Sequence, residues 1–81
     1  MFYVYVLRSN KNNKRYIGQT SKNVFNRLKE HNAGSNRWTR SNGPFVLIHS
    51  EEFNTKKEAI TRERFLKSGQ GRKWLDNNIP G

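Results

Sequence analysis

Apolar and polar positions are grouped in blocks along the chain, and the first blocks form a hairpin pattern. Residues 2–7 are almost continuously apolar, with β-branched and aromatic side chains, which predicts a central strand covered on both faces. Residues 10–14 contain three asparagines, which form turns and tolerate unusual backbone angles. Residues 15–19 are again apolar in part. We therefore expect a β-hairpin with strands over residues 2–7 and 15–19.

A helical pattern follows the hairpin. It predicts a helix over residues 22–32, capped by Thr20 or Ser21 and ended at Gly34, because hydroxyl side chains accept the first backbone N–H groups and glycine ends helices. The apolar side of this helix consists of Val24, Phe25 and Leu28. Residues 34–44 are polar and rich in serine, asparagine and glycine, which predicts a loop.

The C-terminal half predicts one more strand and two more helices. Phe45–Phe53 has a strand pattern. Thr55 begins a capping box ahead of a helix over Lys56–Lys67. Residues 68–71 break that helix, and residues 72–78 form a short terminal one. The element order β-β-α-β-α with a final helix predicts an α+β fold, with a small three-stranded, mostly antiparallel sheet flanked by helices.

Length and composition set limits on the class of protein. With 81 residues, we expect a single domain over residues 1–81. Only 32% of the residues are apolar, so most of them are needed for one core. The chain has no cysteine, which excludes disulfides and thiolate metal sites. This composition is typical of a reducing compartment, and we expect a cytoplasmic location.

The charge of the chain indicates a polyanionic partner. Sixteen Lys and Arg residues against six Asp and Glu residues give a net charge of +10. Nucleic acid is the favoured partner for such a chain, with a membrane surface as the competing interpretation. No apolar run approaches the length of a transmembrane helix, no secretory signal is evident, and no helix is strongly basic and amphipathic. We therefore expect a nucleic-acid partner and no membrane association.

Glu63 is an acid in an apolar position. On the predicted helix it lies between Ala59 and Leu66, on the side that faces the protein. A buried, unpaired carboxylate is costly, so a cation, a hydrogen-bond network or a metal ion must compensate it. A salt bridge to Lys56, to Lys67 or to an arginine of the first helix is the structural alternative.

Four other side chains are candidates for chemistry, each with an ordinary structural alternative. The planar guanidinium of Arg27 can hold a phosphate, or it can be one solvated arginine among many. His31, four residues on, can be an acid, a base or a surface residue. Tyr5 and Tyr16 can present hydroxyls or simply pack in the hairpin.

Basic residues near a stackable ring indicate nucleic-acid contacts. Arg37 and Arg40 flank Trp38, which combines cations with an aromatic face, although Trp38 can equally cover the core. The C-terminal half supplies further cations for phosphates, namely Lys56, Lys57, Arg62, Arg64, Lys67, Arg72 and Lys73. A solvated basic face is the alternative for these residues. Phosphate contacts carry no sequence information, and no element is typical of a recognition helix, so we expect weak or structure-dependent selectivity.

Taken in order, these features resemble a known family. Tyr3-Val4-Tyr5, then Tyr16-Ile17-Gly18, then Arg27 on a helix and Glu63 on a later helix are similar to the GIY-YIG nuclease domain. The resemblance covers essentially the whole chain and is greatest to the small stand-alone bacterial members. Tyr3 stands where the family's first triplet has glycine. Gln19 stands where some members have a lysine that assists deprotonation.

The resemblance implies a metal-dependent endonuclease that hydrolyses DNA phosphodiester bonds. It implies catalytic roles for Tyr5, Tyr16, Arg27, His31 and Glu63, with Glu63 binding one Mg²⁺ or Mn²⁺ and Gly18 allowing a tight turn towards the first helix. Nearby cations are then expected to lower the pKa of a catalytic tyrosine from about 10. No small-molecule cofactor is implied.

Two other function classes stay open from the sequence. The same fold can serve as a non-catalytic DNA- or RNA-binding module, and charge alone is compatible with an RNA-binding or ribosome-associated protein. The intact set of tyrosines, arginine and inward acid favours the enzyme, because a binding module has no need of the acid. The sequence does not indicate an oligomeric state, or a choice between repair, recombination and defence against foreign DNA.

Overall fold

Three strands and four helices form the part of the chain that the structure, a computed structural model, describes: residues 1–34 and 36–79. The strands are β1 (Phe2–Ser9), β2 (Arg15–Thr20) and β3 (Phe45–Phe53), and the helices are α1 (Val24–Asn32), α2 (Arg37–Asn42), α3 (Lys56–Lys67) and α4 (Gly69–Asn78). The predicted α+β fold and element order are confirmed, with α2 as an additional helix.

The sheet has the strand order β2-β1-β3, and both pairings are antiparallel. The most apolar strand, β1, is therefore central, as its sequence predicts. Its side chains alternate between the two faces, so Val4 and Val6 lie on one face while Tyr5 and Leu7 lie on the other. The register sets Tyr5 opposite Gly18 of β2.

Each face of β1 contributes to its own apolar cluster. The first cluster joins the sheet to α3 and α4 and consists of Val4, Val6, Ala59, Leu66 and Leu75, all fully buried. The second joins the sheet to α1 and consists of Tyr5, Leu7 and Phe45, with Tyr16, Val24, Leu28 and Leu47 packed against them. The sheet is thus a middle layer between two pairs of helices, and the aromatic and polar candidates of β1 and β2 lie on the α1 side.

The start of α1 differs from the prediction. The N-cap is Asn23, whose side-chain oxygen accepts the backbone N–H of Phe25 at 2.8 Å. The hydroxyl of Thr20 instead accepts the N–H of Lys22 at 3.0 Å, in a local turn ahead of the helix. Capping by Thr20 or Ser21 is therefore wrong, because an asparagine closer to the apolar stripe competes for the cap.

The apolar side predicted for α1 also differs from the observed one at a single residue. Val24 and Leu28 pack against the sheet, but Phe25 is 60% exposed. The stripe that faces the sheet has the helical spacing i, i+3, i+4 and i+7, which selects positions 24, 27, 28 and 31 and leaves position 25 outside. Arg27 and His31 therefore belong to the face directed at β1.

Three residues have the structural roles predicted for them, one in the hairpin turn and two at helix ends. Asn13 in the hairpin turn has a φ of 61°, in the left-handed region that asparagine tolerates. Gly34 ends α1 with a φ of 77°. Thr55 caps α3, where its hydroxyl accepts the backbone N–H of Glu58 at 3.2 Å.

The predicted loop over residues 34–44 is wrong over most of its length, because it contains α2. Ser35 in that range lies outside the described residues. The side chain of Asn36 accepts the N–H of Thr39 at 2.9 Å, and the Thr39 hydroxyl accepts the N–H of Asn36 at 3.1 Å. This reciprocal capping box, built from asparagine and threonine, stabilises a six-residue helix within a polar segment.

The break predicted over residues 68–71 is present but limited to Ser68, because α3 ends at Lys67 and α4 already begins at Gly69. Ser68 caps α4 by accepting the N–H of Gly71 at 3.2 Å. A Cβ atom at Gly71 would lie 2.0 Å from the backbone oxygen of Phe65. The glycine is therefore required by the close crossing of α4 over the end of α3, and it does not mark a loop.

None of the helices in residues 1–34 and 36–79 combines the length and the apolar character that crossing a bilayer requires.

Candidate active site

The hydroxyl of Tyr5 lies at the centre of the candidate site. The Tyr5 side chain crosses β2 directly over Gly18, and a Cβ atom at Gly18 would lie 2.5 Å from the Tyr5 oxygen and 2.7 Å from Cζ. Gly18 lies inside β2 and its φ is not positive. Its predicted role as a turn glycine is therefore wrong, and the residue instead leaves space for the Tyr5 ring.

His31 of α1 is the hydrogen-bond partner of Tyr5. Its Nε2 atom lies 3.1 Å from the Tyr5 hydroxyl, and both residues are 1% exposed. Burial, followed by the positive charge of Arg27, lowers the pKa of His31, and Glu30 offsets part of this effect. His31 is therefore neutral near pH 7, and its Nε2 can accept the phenolic proton when Nδ1 carries the ring proton.

Arg27, one turn before His31, places its guanidinium beside the Tyr5 hydroxyl. This contact, ahead of the one with Glu30, raises the pKa of Arg27. The Arg27 side chain also donates to the carboxylate of Glu30, three residues along α1. Its remaining surface lines a small cleft of about 260 Å³, together with Lys22 and Lys56. Arg27 therefore connects the buried tyrosine to a basic opening at the surface.

The pKa of Tyr5 is raised, contrary to the expectation that cations lower it. Burial has the largest effect, because it disfavours the phenolate. The adjacent Arg27 lowers the pKa, but by less than burial raises it, and the neighbouring Tyr16 and the negative charge of Glu63 oppose Arg27. Tyr5 is therefore a neutral phenol near pH 7, able to donate to His31.

Tyr16 connects this buried pair to the surface. Its ring centroid lies 4.6 Å from that of His31, 6.4 Å from that of Tyr5 and 5.4 Å from that of Trp38. Unlike Tyr5, Tyr16 is partly exposed and lines a larger cleft of about 780 Å³ at the edge of β2. The two tyrosines thus occupy different environments, one inside the protein and the other at its surface.

Glu63 approaches this cluster from α3, which packs on the other face of the sheet over β1 and β2. Its side chain is only 19% exposed, which agrees with the predicted inward position. Lys67 Nζ lies 3.6 Å from Glu63 Oε2, so the predicted alternative of a salt bridge is present as a contact longer than a hydrogen bond. The charge of Glu63 also reaches the Tyr5 hydroxyl, since it helps to raise the pKa of Tyr5.

The donor set around Glu63 fits a hydrated Mg²⁺ or Mn²⁺. Within residues 1–34 and 36–79, no group of three or more His, Cys, Asp or Glu side chains could enclose a metal ion. Mg²⁺ is commonly held by one or two carboxylates, with water and substrate phosphates as its other ligands. The partly buried Glu63 carboxylate, which has no hydrogen-bond partner in the described chain, can serve as such a ligand.

The basic residues predicted to bind nucleic acid separate into distinct surfaces. Lys56 lines the small cleft beside Arg27, whereas Lys67 and Arg72 line the larger one. Lys73 is exposed on α4 and lines neither cleft. On α2, Arg37 and Arg40 are exposed, and Trp38 is 38% exposed with its ring stacked 5.6 Å from that of Phe45. Trp38 therefore both covers the core and reaches solvent.

Two residues that shape the site were not among those predicted from the sequence. Glu30 engages the guanidinium of Arg27, a contact that the i, i+3 spacing on α1 could have indicated. Arg15 lines the larger cleft next to Tyr16 and forms a 2.7 Å salt bridge to Asp76 of α4. That long-range contact has no signal in the sequence.

Comparison with known proteins identifies the family. The family model of the GIY-YIG catalytic domain matches residues 1–76. The chain belongs to the GIY-YIG family. GIY-YIG domains form a nuclease superfamily, which implies a nucleic-acid substrate, and they generally use divalent metals. The resemblance given by the two tyrosine triplets, Arg27 and Glu63 is thereby confirmed at the level of the family.

Small relatives match most of the chain. A UPF0213 protein of Staphylococcus haemolyticus is 40% identical over 67 residues, which cover 82% of this chain and 79% of the relative. A UPF0213 protein of Natronomonas pharaonis is 43% identical over 67 residues, covering 82% and 76%. The solution NMR structure of a UPF0213 protein of Bacillus halodurans aligns with a TM-score of 0.56 at 33% identity, over 95% of this chain and 84% of the other.

Proposed function

We propose that this GIY-YIG domain is a metal-dependent endonuclease that hydrolyses DNA phosphodiester bonds. The observation that carries the proposal is the position of the Tyr5 hydroxyl, beside the guanidinium of Arg27 and 3.1 Å from Nε2 of His31. A phenol with a neutral base on one side and a phosphate-binding cation on the other has the components required for attack by water on a phosphate.

The proton of the attacking water passes to Tyr5. Since burial raises the pKa of Tyr5, the phenol does not act as a preformed phenolate. Its own proton moves to Nε2 of His31 while its oxygen accepts the proton from water. Tyr16, partly exposed on the cleft side of the same aromatic group, orients the water. Gln19 stands where some GIY-YIG members have a lysine that assists deprotonation. In this route His31 takes that part, because it is the final proton acceptor.

Arg27 binds the non-bridging oxygens of the scissile phosphate. Its contact with Glu30 keeps the guanidinium in place before substrate binds, and the phosphate then competes with that carboxylate. Charge that develops on the phosphate during attack is stabilised by the planar pair of N–H donors. Movement of Arg27 towards the small cleft also opens a path for water to the otherwise buried hydroxyl of Tyr5.

Glu63 would hold the divalent ion through its carboxylate. When bound, Mg²⁺ or Mn²⁺ supplies Lewis-acid stabilisation of the phosphate and of the departing oxygen. The carboxylate is partly buried on the inward face of α3, so a bound ion would offset a charge that this apolar stripe otherwise disfavours.

Basic surfaces on both sides of this cluster support nucleic-acid binding. The small cleft offers Lys22, Arg27 and Lys56, and the larger cleft offers Arg15, Lys67 and Arg72. These cations contact phosphates, which supports binding with little dependence on base sequence and a preference set by the shape of the substrate. Trp38 and Arg40 on α2 extend the surface beyond Tyr16.

A cleavage assay separates this enzyme from a non-catalytic binding module of the same fold. Linear, single-stranded and branched DNA, together with RNA, are incubated with the protein in Mg²⁺ or Mn²⁺. We expect cleavage of DNA that EDTA prevents. Salt-dependent binding to all of these substrates without cleavage of any would instead support the binding module.

A further inference from the structure

Lys67 lies between the proposed metal ligand and the larger cleft. It follows Glu63 by one turn of α3, and its Nζ atom lies 3.6 Å from Glu63 Oε2. Its side chain is 56% exposed, whereas that of Glu63 is 19% exposed. Ion pairs at this spacing, with one partner in solvent, are weak. The ammonium group can therefore leave Glu63 when another cation arrives.

The cleft offers Lys67 a second anionic partner. It follows the outer edge of β2, and Lys67 lines it together with Lys14, Arg15 and Arg72. No carboxylate contributes to its lining, and of these four residues only Arg15 and Lys67 form a salt bridge within the described chain. A volume of about 780 Å³ beside Tyr16 is in the range of sites that hold small ligands. The chemistry of the cleft favours a phosphate group.

We propose that Lys67 couples metal binding at Glu63 to phosphate binding in the cleft along β2. Without metal, the ammonium neutralises Glu63. When a divalent cation binds to Glu63, the ammonium moves into the cleft and binds a phosphate of the nucleic-acid backbone. This coupling rests on the proposed function, because it requires Glu63 to bind the metal and nucleic acid to be the ligand of the cleft.

Electrostatic repulsion and the reach of lysine give the physical basis. A divalent ion and an ammonium group repel each other, so binding of the ion weakens the contact of the ammonium group with the same carboxylate. The flexible four-carbon stem lets a lysine exchange partners without a backbone change, which a rigid guanidinium fork does less readily. Because coupling between binding sites is reciprocal, a phosphate that attracts Lys67 into the cleft also frees Glu63 for the metal.

Mn²⁺ binding to the free protein tests the first half of the coupling. Electron paramagnetic resonance measures free Mn²⁺ in titrations of the wild type, Lys67→Gln, and the control Lys57→Gln, which removes an equal charge from the first turn of α3. Loss of the competing ammonium is expected to strengthen Mn²⁺ binding by about twofold or more in Lys67→Gln. Lys57→Gln is expected to change the Mn²⁺ affinity by less, because Lys57 is farther along α3 from Glu63 and solvent ions screen its charge.

Binding of a fluorescein-labelled DNA duplex tests the second half. Fluorescence anisotropy compares affinity in EDTA and in Mn²⁺, in a Tyr5→Phe background, with electrophoresis to verify that the duplex stays intact. We expect Mn²⁺ to strengthen binding, and Lys67→Gln to reduce that gain by at least half. Lys57→Gln is expected to keep the gain while lowering both affinities slightly.

The outcomes separate the coupling from the proposed function. Equal Mn²⁺ affinities for Lys67→Gln and Lys57→Gln, or an unchanged gain from Mn²⁺ in Lys67→Gln, would overturn the coupling while leaving the nuclease proposal intact. Mn²⁺ binding that Glu63→Gln does not weaken would overturn both, because Glu63 would then not be the metal ligand.

Discussion

The hydroxyl of Tyr5 lies 3.1 Å from Nε2 of His31, and both side chains are 1% exposed. Burying polar groups in an apolar cluster is costly unless they form hydrogen bonds, and this contact supplies one. Yet Nδ1 of His31 is buried without a partner in the described chain. A protonated ring would therefore carry a buried positive charge with a hydrogen-bond partner at Nε2 alone. The pair is therefore suited to moving a proton briefly and not to holding a stable imidazolium.

The pH dependence of stability tests the environment of His31. Since the pKa of His31 is lowered below its unfolded value of about 6.5, the unfolded state binds more protons as the pH falls below that value. The free energy of unfolding should therefore decrease as the pH falls from about 7 to about 5. His31→Gln should weaken this decrease, as measured by urea denaturation across that range. Equal slopes for the two proteins would contradict the buried, neutral assignment.

Gly18→Ala tests the close approach of Tyr5 to β2. The added methyl group would lie 2.5 Å from the Tyr5 oxygen, so the ring must move away from His31. We expect a loss of about 1–3 kcal/mol in the free energy of unfolding. Cleavage activity should fall as well.

The double variant Gly18→Ala with Tyr5→Phe serves as the control. Because it removes the nearest clashing atom, the two changes should cost less together than the sum of their separate effects. Strict additivity would show that the Tyr5 hydroxyl is not the group that the added methyl group meets.

Gly71→Ala tests the crossing of α3 and α4, and Gly69→Ala is a matched control in the same helix. At Gly71 the new Cβ atom would lie 2.0 Å from the backbone oxygen of Phe65, so one helix must shift at a cost of about 1–3 kcal/mol or more. At Gly69 a Cβ atom meets nothing within 4 Å. Thermal and chemical denaturation should therefore show Gly69→Ala to be neutral or stabilising by up to about 1 kcal/mol. Similar destabilisation by both would exclude the tight crossing.

Arg27→Lys and Glu30→Gln should change cleavage in opposite directions. Lysine keeps the charge but loses the planar donors, and a loss of about 10²-fold in the rate is expected for a group that stabilises the transition state. Glu30→Gln removes the carboxylate that competes for Arg27, so cleavage at low substrate concentration should rise modestly. Single-turnover rates at several DNA concentrations measure both effects. A loss of activity in Glu30→Gln equal to that in Arg27→Lys would indicate that Glu30 has a role of its own.

The sequence predicts the parts of the fold that depend on periodicity. The continuous apolar run of β1 indicates its central position, and the capping box at Thr55 marks the start of α3. It does not predict α2, whose stability comes from the reciprocal cap between Asn36 and Thr39 in a segment without an apolar stripe. The glycines near position 70 have the composition of a loop, and only the contact with Phe65 explains Gly71 as a helix-packing residue.

For the candidate site, the sequence predicts which residues contribute. It does not predict whether burial or neighbouring charges dominate the pKa of each one. The spacing of α1 is sufficient to bring Arg27 and His31 towards β1. The raised pKa of Tyr5 could not be predicted from net charge, because local burial outweighs the adjacent guanidinium. The contact between Glu63 and Lys67 is compatible with the sequence alternatives, yet its 3.6 Å separation becomes known only from the structure.

DNA cleavage by Glu63→Gln, compared with Glu58→Gln, tests metal-dependent catalysis most directly. Both changes remove one carboxylate charge from α3, but Glu58 is exposed at the helix cap, where glutamine retains the capping function. In Mg²⁺ or Mn²⁺, the wild type and Glu58→Gln should cleave DNA at similar rates. Glu63→Gln should bind the same DNA at least as tightly and leave it uncut. Cleavage by Glu63→Gln at the wild-type rate, or no cleavage by the wild type under any of these conditions, would contradict the proposed metal-dependent nuclease.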